Sequence, residues 1–173
     1  MRPTYRILPA SEQHLQFLPV IELAAASLLV GYAPESVLNE TTSVRHFRRA
    51  AAGGRLWVAV TDHLPVGFVH VELLPSGAPH LEEIDVHPRH GRQGIGRRLV
   101  ATACDWVARQ GYSAISLTTF RDVPFNMKFY ASCGFHEVPE TELEPELAAI
   151  VQSEAERGLA PQRRVVMRWW RQT

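Results

Sequence analysis

Leu81-Glu-Glu-Ile-Asp-Val86-His-Pro88-Arg-His-Gly91-Arg-Gln-Gly94-Ile-Gly96-Arg-Arg-Leu99 is the stretch from which the rest of the chain can be placed. Ile84 and Val86 recur at period two and the run stops at Pro88, as a strand ends. A basic loop dotted with glycine follows. Ile95, Leu99, Ala103, Trp106 and Val107 then recur at helical spacing as far as Gly111. Strand, glycine-rich turn and helix N-terminus in that order make an anion cradle. The first backbone N–H groups of a helix lack internal acceptors, and the macrodipole adds roughly half a positive charge there. Glycines let the backbone approach a phosphate, and Arg92, Arg97 and Arg98 add charge that can pair bidentately. The ligand expected here carries a pyrophosphate.

Two common phosphate-binding patterns fail. A dinucleotide fingerprint needs a third glycine where Leu99 stands, and a P-loop needs Gly-Lys-Ser/Thr where the chain has Gly96-Arg97-Arg98. Val86-x-Pro88 followed by Gly94-x-Gly96 instead resembles the signature of the GNAT superfamily of acyl-CoA N-acyltransferases. Gly91 departs from it, standing where that family usually has Gln or Arg. A second block, Arg121-Asp-Val-Pro-Phe-Asn-Met-Lys-Phe-Tyr-Ala-Ser-Cys-Gly-Phe135, ends like the Tyr-x-x-x-Gly-Phe that closes the core of the same superfamily. Pro124 suits the first turn of a short helix there and Gly134 its C′ position. The resemblance implies a mixed α/β sheet, flanked by helices on both faces and splayed open after the strand that ends at Val86. It implies acetyl-CoA as cosubstrate, with no metal, held by Asp85, Val86, Gly91, Arg92, Gln93, Gly94, Ile95, Gly96, Arg97 and Asn126. Relatives often place a cofactor-binding asparagine seven residues before the tyrosine, where this chain has Val123. Asn126, four before, contacts the cofactor from another place or caps a turn.

The remaining chain fits one N-acetyltransferase domain over residues 1–173. A length of 173 residues at 46% hydrophobic content suits a full core. Eighteen Lys+Arg balance eighteen Asp+Glu, so no overall field points to nucleic acid or membrane. Cys104 and Cys133 make no disulfide framework; Cys104 reads as a small core residue, and a reduced, cytoplasmic setting fits. The apolar stretch over 15–30 contains Pro19 and Glu22, lacks a cleavage-site pattern and is too short and polar to span a membrane. Residues 5–8 read as a strand and Ser11 as the N-cap of a helix running to about Leu29. Residues 44–52 form a second helix, and 56–60 with 66–74 an antiparallel hairpin. Strands follow over 114–119, 135–138 and 165–169. Between the last two lies an acidic insertion over about 140–162, in which Leu143, Leu147, Ile150 and Val151 mark an amphipathic helix. It either packs on the sheet edge as a solvated helix, or serves as an acidic lid favouring a cationic acceptor or as the contact of a homodimer.

Acyl transfer to an amine sets its own demands. A lysine-like amine with pKa ~10.4 is protonated at pH 7, a handicap of roughly 4–5 kcal/mol unless a base takes the proton. The developing oxyanion needs a preorganised donor, most simply a backbone N–H, here expected near Asp85 and Val86. The departing thiolate wants a proton, and the resemblance assigns that to Tyr130. Period two puts His80, Glu82, Ile84 and Val86 on one strand face, with Glu83 and Asp85 on the other. The superfamily often carries its base four or six residues before the valine, which makes Glu82 and His80 the candidates. His87 and His90 have no Cys or Asp at ligand spacing, so no metal site is expected there. The expected activity is acetyl transfer to a primary amine, small molecule or peptide, by direct attack in a ternary complex. A non-catalytic acyl-CoA sensor is the alternative. A nucleic-acid binder would need aromatics interleaved with the loop arginines, and none are present.

Overall fold

The computed structural model describes residues 3–172. Seven strands form one sheet: β1 (Arg6–Pro9), β2 (Leu56–Thr61), β3 (Leu64–Leu73), β4 (Pro79–Val86), β5 (Ala114–Phe120), β6 (His136–Glu137) and β7 (Arg164–Trp170). They lie in the order β1-β2-β3-β4-β5-β7-β6. Every pairing is antiparallel except β4 with β5, which meet at a single parallel pair, His80 with Ser116. Beyond it the two strands part, so residues 81–86 have a partner on the β3 side only. This is the expected splay, and it leaves an edge in mid-sheet.

Helices cover both faces. α1 (Glu12–Leu15), α2 (Leu18–Ala26), α3 (Glu35–Leu38) and α4 (Val44–Ala52) precede β2. Leu18 and Ile21 of α2 and Phe47 and Ala50 of α4 bury against Val58, Val60 and Phe68. α5 (Ile95–Arg109) covers the opposite face, where Ile95, Leu99, Ala103 and Val107 pack on Val69, Val71, Leu81, Ile115 and Met167. α6 (Met127–Ser132) lies beside the α5 N-terminus, and α7 (Pro145–Glu156) seats Leu147 on Val138 and Val166. Cys104 is buried in the α5 core, which pushes its thiol up to about 12. Among the described residues no helix is long and apolar enough to cross a membrane.

Three boundaries differ from expectation, each for a local reason. The helix expected from Ser11 to about Leu29 breaks between α1 and α2, because Pro19 has no N–H to continue it and starts a new helix instead. The short helix expected near Pro124 begins at Met127, with Asn126 at its N-cap; Gly134, at φ +91°, does terminate it. In the β2–β3 hairpin Asp62 and His63 alone form the turn, both at positive φ (47° and 66°), the conformation that matches strand twist.

Candidate active site

The loop after β4 meets the expected cradle closely. Gly94, at φ +75°, is the N-cap of α5, and Arg98 N–H makes the first helical bond, to Gly94 O at 3.2 Å. None of the amides from Arg92 through Arg97 donates a hydrogen bond within the described residues. They face the positive end of a fifteen-residue helix. A Cβ on Gly96 would sit 3.3 Å from Phe129 Cζ, so this glycine also lets α6 close on the helix start. Arg92 itself takes φ +60° and stays exposed, as does Gln93. The other arginines are engaged elsewhere. Arg97 donates to Ser132 O (2.7 Å) and Ser132 Oγ (2.9 Å), and Arg98 donates to Tyr5 O (2.9 Å). Their guanidinium groups thus brace the loop, and what they offer an anion is backbone. Of the two loop histidines, His87 accepts from Arg89 N–H and His90 Nδ1 lies 3.0 Å from the Tyr5 hydroxyl.

Strand β4 corrects the expected faces. Val71 pairs with Leu81 and His70 with Glu83, so Glu82 is an extra residue, a β-bulge. The alternation slips at that point. Leu81, Ile84 and Val86 face α5, whereas His80, Glu83 and Asp85 share the α2 face with Glu72, His70 and Phe68. Glu82 lies between the two sets and is exposed. Glu83 and Asp85 lie opposite Ile84 and Val86, as period two expects; the bulge instead brings His80 onto their face and Leu81 onto that of Ile84 and Val86. The signal was present: Leu81 and Ile84 are three apart, an odd spacing that no regular strand puts on one face.

Electrostatics single out that face. Burial, then Glu22 and Glu82, push Glu83 up to about 8; burial, then Glu83, hold Asp85 well above the usual carboxylate range. Asp85 Oδ2 has no hydrogen-bond partner. Tyr130 packs edge-on against Phe129 and Phe135, and burial together with Glu83 and Asp85 raises its phenol well above 10. Tyr130 itself packs on the α5 side of the sheet, in the cluster that holds Phe135. Glu82 is also raised, by desolvation and the carboxylates of Glu72 and Glu154. His80 lies at the fork, 2% exposed, its Nδ1 2.9 Å from Ser116 Oγ, and burial lowers it to about 4. Glu22, on α2, accepts from Thr42 N–H (2.8 Å) and Thr42 Oγ1 (2.9 Å). Asn126 supplies its carbonyl to Tyr130 N–H at 3.1 Å, and Val123 is buried beside Phe120 and Leu159.

A sheet split at one parallel pair, with a helix-start amide cradle on one side and acids on the other, defines an acyltransferase architecture of the GNAT type. The chain belongs to the acetyltransferase (GNAT) family, whose model matches residues 21–135. It is similar to human N-acetyltransferase 8, 26% identical over 134 residues, covering 73% of this chain and 58% of that protein. It is also similar to rat N-acetyltransferase family 8 member 3, 33% identical over 89 residues, covering 49% of this chain and 39% of that one. The chain thus spans only part of these curated relatives. Among solved structures, a PaiA N-acetyltransferase from Thermoplasma acidophilum in complex with coenzyme A has the same fold, with a TM-score of 0.74 at 15% identity over 97% of this chain and 99% of that one. N-acetylglutamate synthase from Neisseria gonorrhoeae, complexed with coenzyme A and N-acetyl-glutamate, gives 0.69 at 16% identity over 100% of this chain and 36% of that one.

Proposed function

We propose that the chain transfers the acetyl group of acetyl-CoA to a primary amine by direct attack in a ternary complex. The observation that supports this reading is a run of free amides suited to a pyrophosphate at the α5 start, beside the parting of β4 from β5 and closed over by α6, the helix of Tyr130, through Phe129 on Gly96. The amine enters from the α2 face as an ammonium, and a carboxylate of β4 takes its proton. Glu83 with Asp85 is the best matched, because a carboxyl raised toward neutrality is a stronger base than an ordinary one. Glu82 is the second acceptor, at the mouth. His80, with its conjugate acid near 4, is too weak a base for an amine and serves the fork. The freed amine forms its bond to the thioester carbon, an amide of the β4 end steadies the oxyanion, and the C–S bond breaks. Tyr130 is held protonated and donates its hydroxyl proton to the departing sulfur as charge develops there. The adduct nitrogen gives its second proton to the phenolate as the amide forms, restoring Tyr130, and the proton first taken by the carboxyl pair leaves to solvent, so the cycle balances. The phosphates rest on the amides of residues 92–97, with Gly91 and Asn126 shaping the loop and the α6 start.

A single domain, an amine-bearing small molecule or peptide as acceptor, and a reduced, cytoplasmic setting complete the reading; the two cysteines are free. The test is calorimetric titration with acetyl-CoA, beside NAD and ATP, followed by thiol release across an amine panel. Acetyl-CoA alone should bind, and Gly94→Glu should abolish it by placing a carboxylate and a side chain at positive φ in the cradle. Tyr130→Phe should lower turnover at least tenfold while leaving acetyl-CoA affinity within about twofold. Binding without turnover of any amine would favour the sensor, and equal losses of kcat and affinity would make Tyr130 a packing residue.

A further inference from the structure

On the α2 face, one row from the bulge, three side chains converge that acetyl transfer does not need. His70 Nε2 of β3 and His46 Nε2 of α4 each lie 2.8 Å from the same oxygen, Glu72 Oε1. The two imidazoles meet edge-on with centroids 5.1 Å apart, and the donor atoms of all three residues lie within 4.8 Å of one another. Arg55 holds the other oxygen of Glu72 at 2.8 Å, fixing the carboxylate with Oε1 toward the histidines. His70 is fully buried, whereas His46 is half-exposed and free to swing.

We propose that His46, His70 and Glu72 form a binding site for a borderline divalent cation of the Zn2+ class, open to the acceptor side of the sheet. Two imidazole nitrogens and one carboxylate oxygen are a zinc-type donor set; hard cations such as Mg2+ and Ca2+ prefer oxygen alone. At Zn–N and Zn–O distances of about 2.0–2.2 Å, tetrahedral donors stand roughly 3.3–3.5 Å apart. The two 2.8 Å contacts therefore need to open by only about half an ångström, which the exposed imidazole of His46 can supply. Three protein donors leave a fourth position for water or an acceptor group. His70 Nδ1 has no hydrogen-bond partner, so the usual outer support of a zinc-bound imidazole is missing, a defect worth ~10–100-fold in affinity. The Arg55 charge weakens binding further. A micromolar, exchangeable cation is the result, and not a resident structural one.

The position gives that cation a consequence, and this part rests on the proposed acetyl transfer. Glu82 is the bulge residue opposite the His70–Val71 step of β3, beside two of the three donors in register. A dication there stabilises the Glu82 carboxylate as an anion, makes it a poorer base and repels an incoming ammonium. Zn2+ should inhibit, and less so at saturating amine.

Binding is measured apart from activity. Zn2+ titrated into the full chain against a chromogenic chelator should fill one site at micromolar concentration. His46→Ala and Glu72→Gln should each weaken it at least tenfold, with His87→Ala unchanged. Melting curves establish that the variants fold, and His46→Gln replaces His46→Ala if it does not. Co2+ should give visible bands without the near-ultraviolet thiolate charge transfer that Cys104 or Cys133 would produce. No saturable binding up to about 100 μM, binding untouched by His46→Ala, or a thiolate band would overturn the site. Binding without inhibition would overturn only its effect on acetyl transfer.

Discussion

Glu83 and Asp85 are two residues apart on one strand face, and burial together with each other's charge raises both above the usual carboxylate range. If the pair accepts the amine proton, kcat/KM should rise with pH through about 8. In Glu83→Gln, Asp85 loses its like-charged neighbour, its ionised form becomes easier to reach, and the rising limb should move down by at least one pH unit. An unmoved limb would assign it to Glu82 or to the amine. Stability gives an independent reading. A carboxyl whose folded pKa exceeds the unfolded value of about 4.3 keeps a proton that the unfolded chain has released. Stability should therefore fall as pH rises from about 4.3 to 8, and the urea midpoint of Glu83→Gln should fall less over that range. The positions of Gly94 at the start of α5 and of Tyr130 in α6 were legible in the sequence because they depend on local spacing. That His80 shares a face with Glu83 and Asp85 was not, because one bulge shifts the faces before it relative to those after it.

Elements were legible where chemistry is local and obscure where a partner decides. The strand–loop–helix over residues 81–99, the α5 end at Gly111 and the α6 end at Gly134 followed from glycine and periodicity. α3 and the α1–α2 break did not, since single turns carry too few residues for a period. The function of the Arg97 side chain likewise depends on its partner. It grips Ser132 at the end of α6, the helix that carries Tyr130, across the start of α5. Arg97→Ala keeps its backbone N–H in the cradle and releases α6. Turnover should drop several-fold with KM for acetyl-CoA within about twofold. Steady-state kinetics decides: a raised KM at constant kcat would mean that the guanidinium binds phosphate.

Across the whole molecule, the splay divides the sheet into β1–β4 and β5–β7, joined at the His80–Ser116 fork and by whatever crosses the two faces. α5 crosses one face. On the other, α7 forms the strap, which shows why the acidic insertion is more than a solvated edge helix. Glu146 accepts from Ser76 N–H and Oγ, both at 2.6 Å, on the β3–β4 side. Glu154 pairs with Arg164 at 2.8 Å and accepts from Thr118 on the β5–β7 side. Arg157 reaches Glu40, in the segment after α3, and the turn at Gly158 is tight against Pro34. These contacts differ sharply in weight. Glu154 and Arg164 are nearly buried, at 12% and 8% exposure, and Arg164 also lies 4.6 Å over the Phe120 ring. Glu154→Ala leaves a buried guanidinium unpaired and should cost roughly 3–5 kcal/mol. At about 2–4 °C per kcal/mol for this chain length, the melting temperature should drop by about 10 °C. Arg157→Ala removes an exposed pair worth less than about 1 kcal/mol and should barely move it. Its effect should be kinetic, because the α7 end and the segment around Glu40 rim the α2 face: KM for the amine should change by more than KM for acetyl-CoA. Equal thermal losses in the two variants would show that the strap is held by its rim, and no kinetic change in Arg157→Ala would place the acceptor away from it.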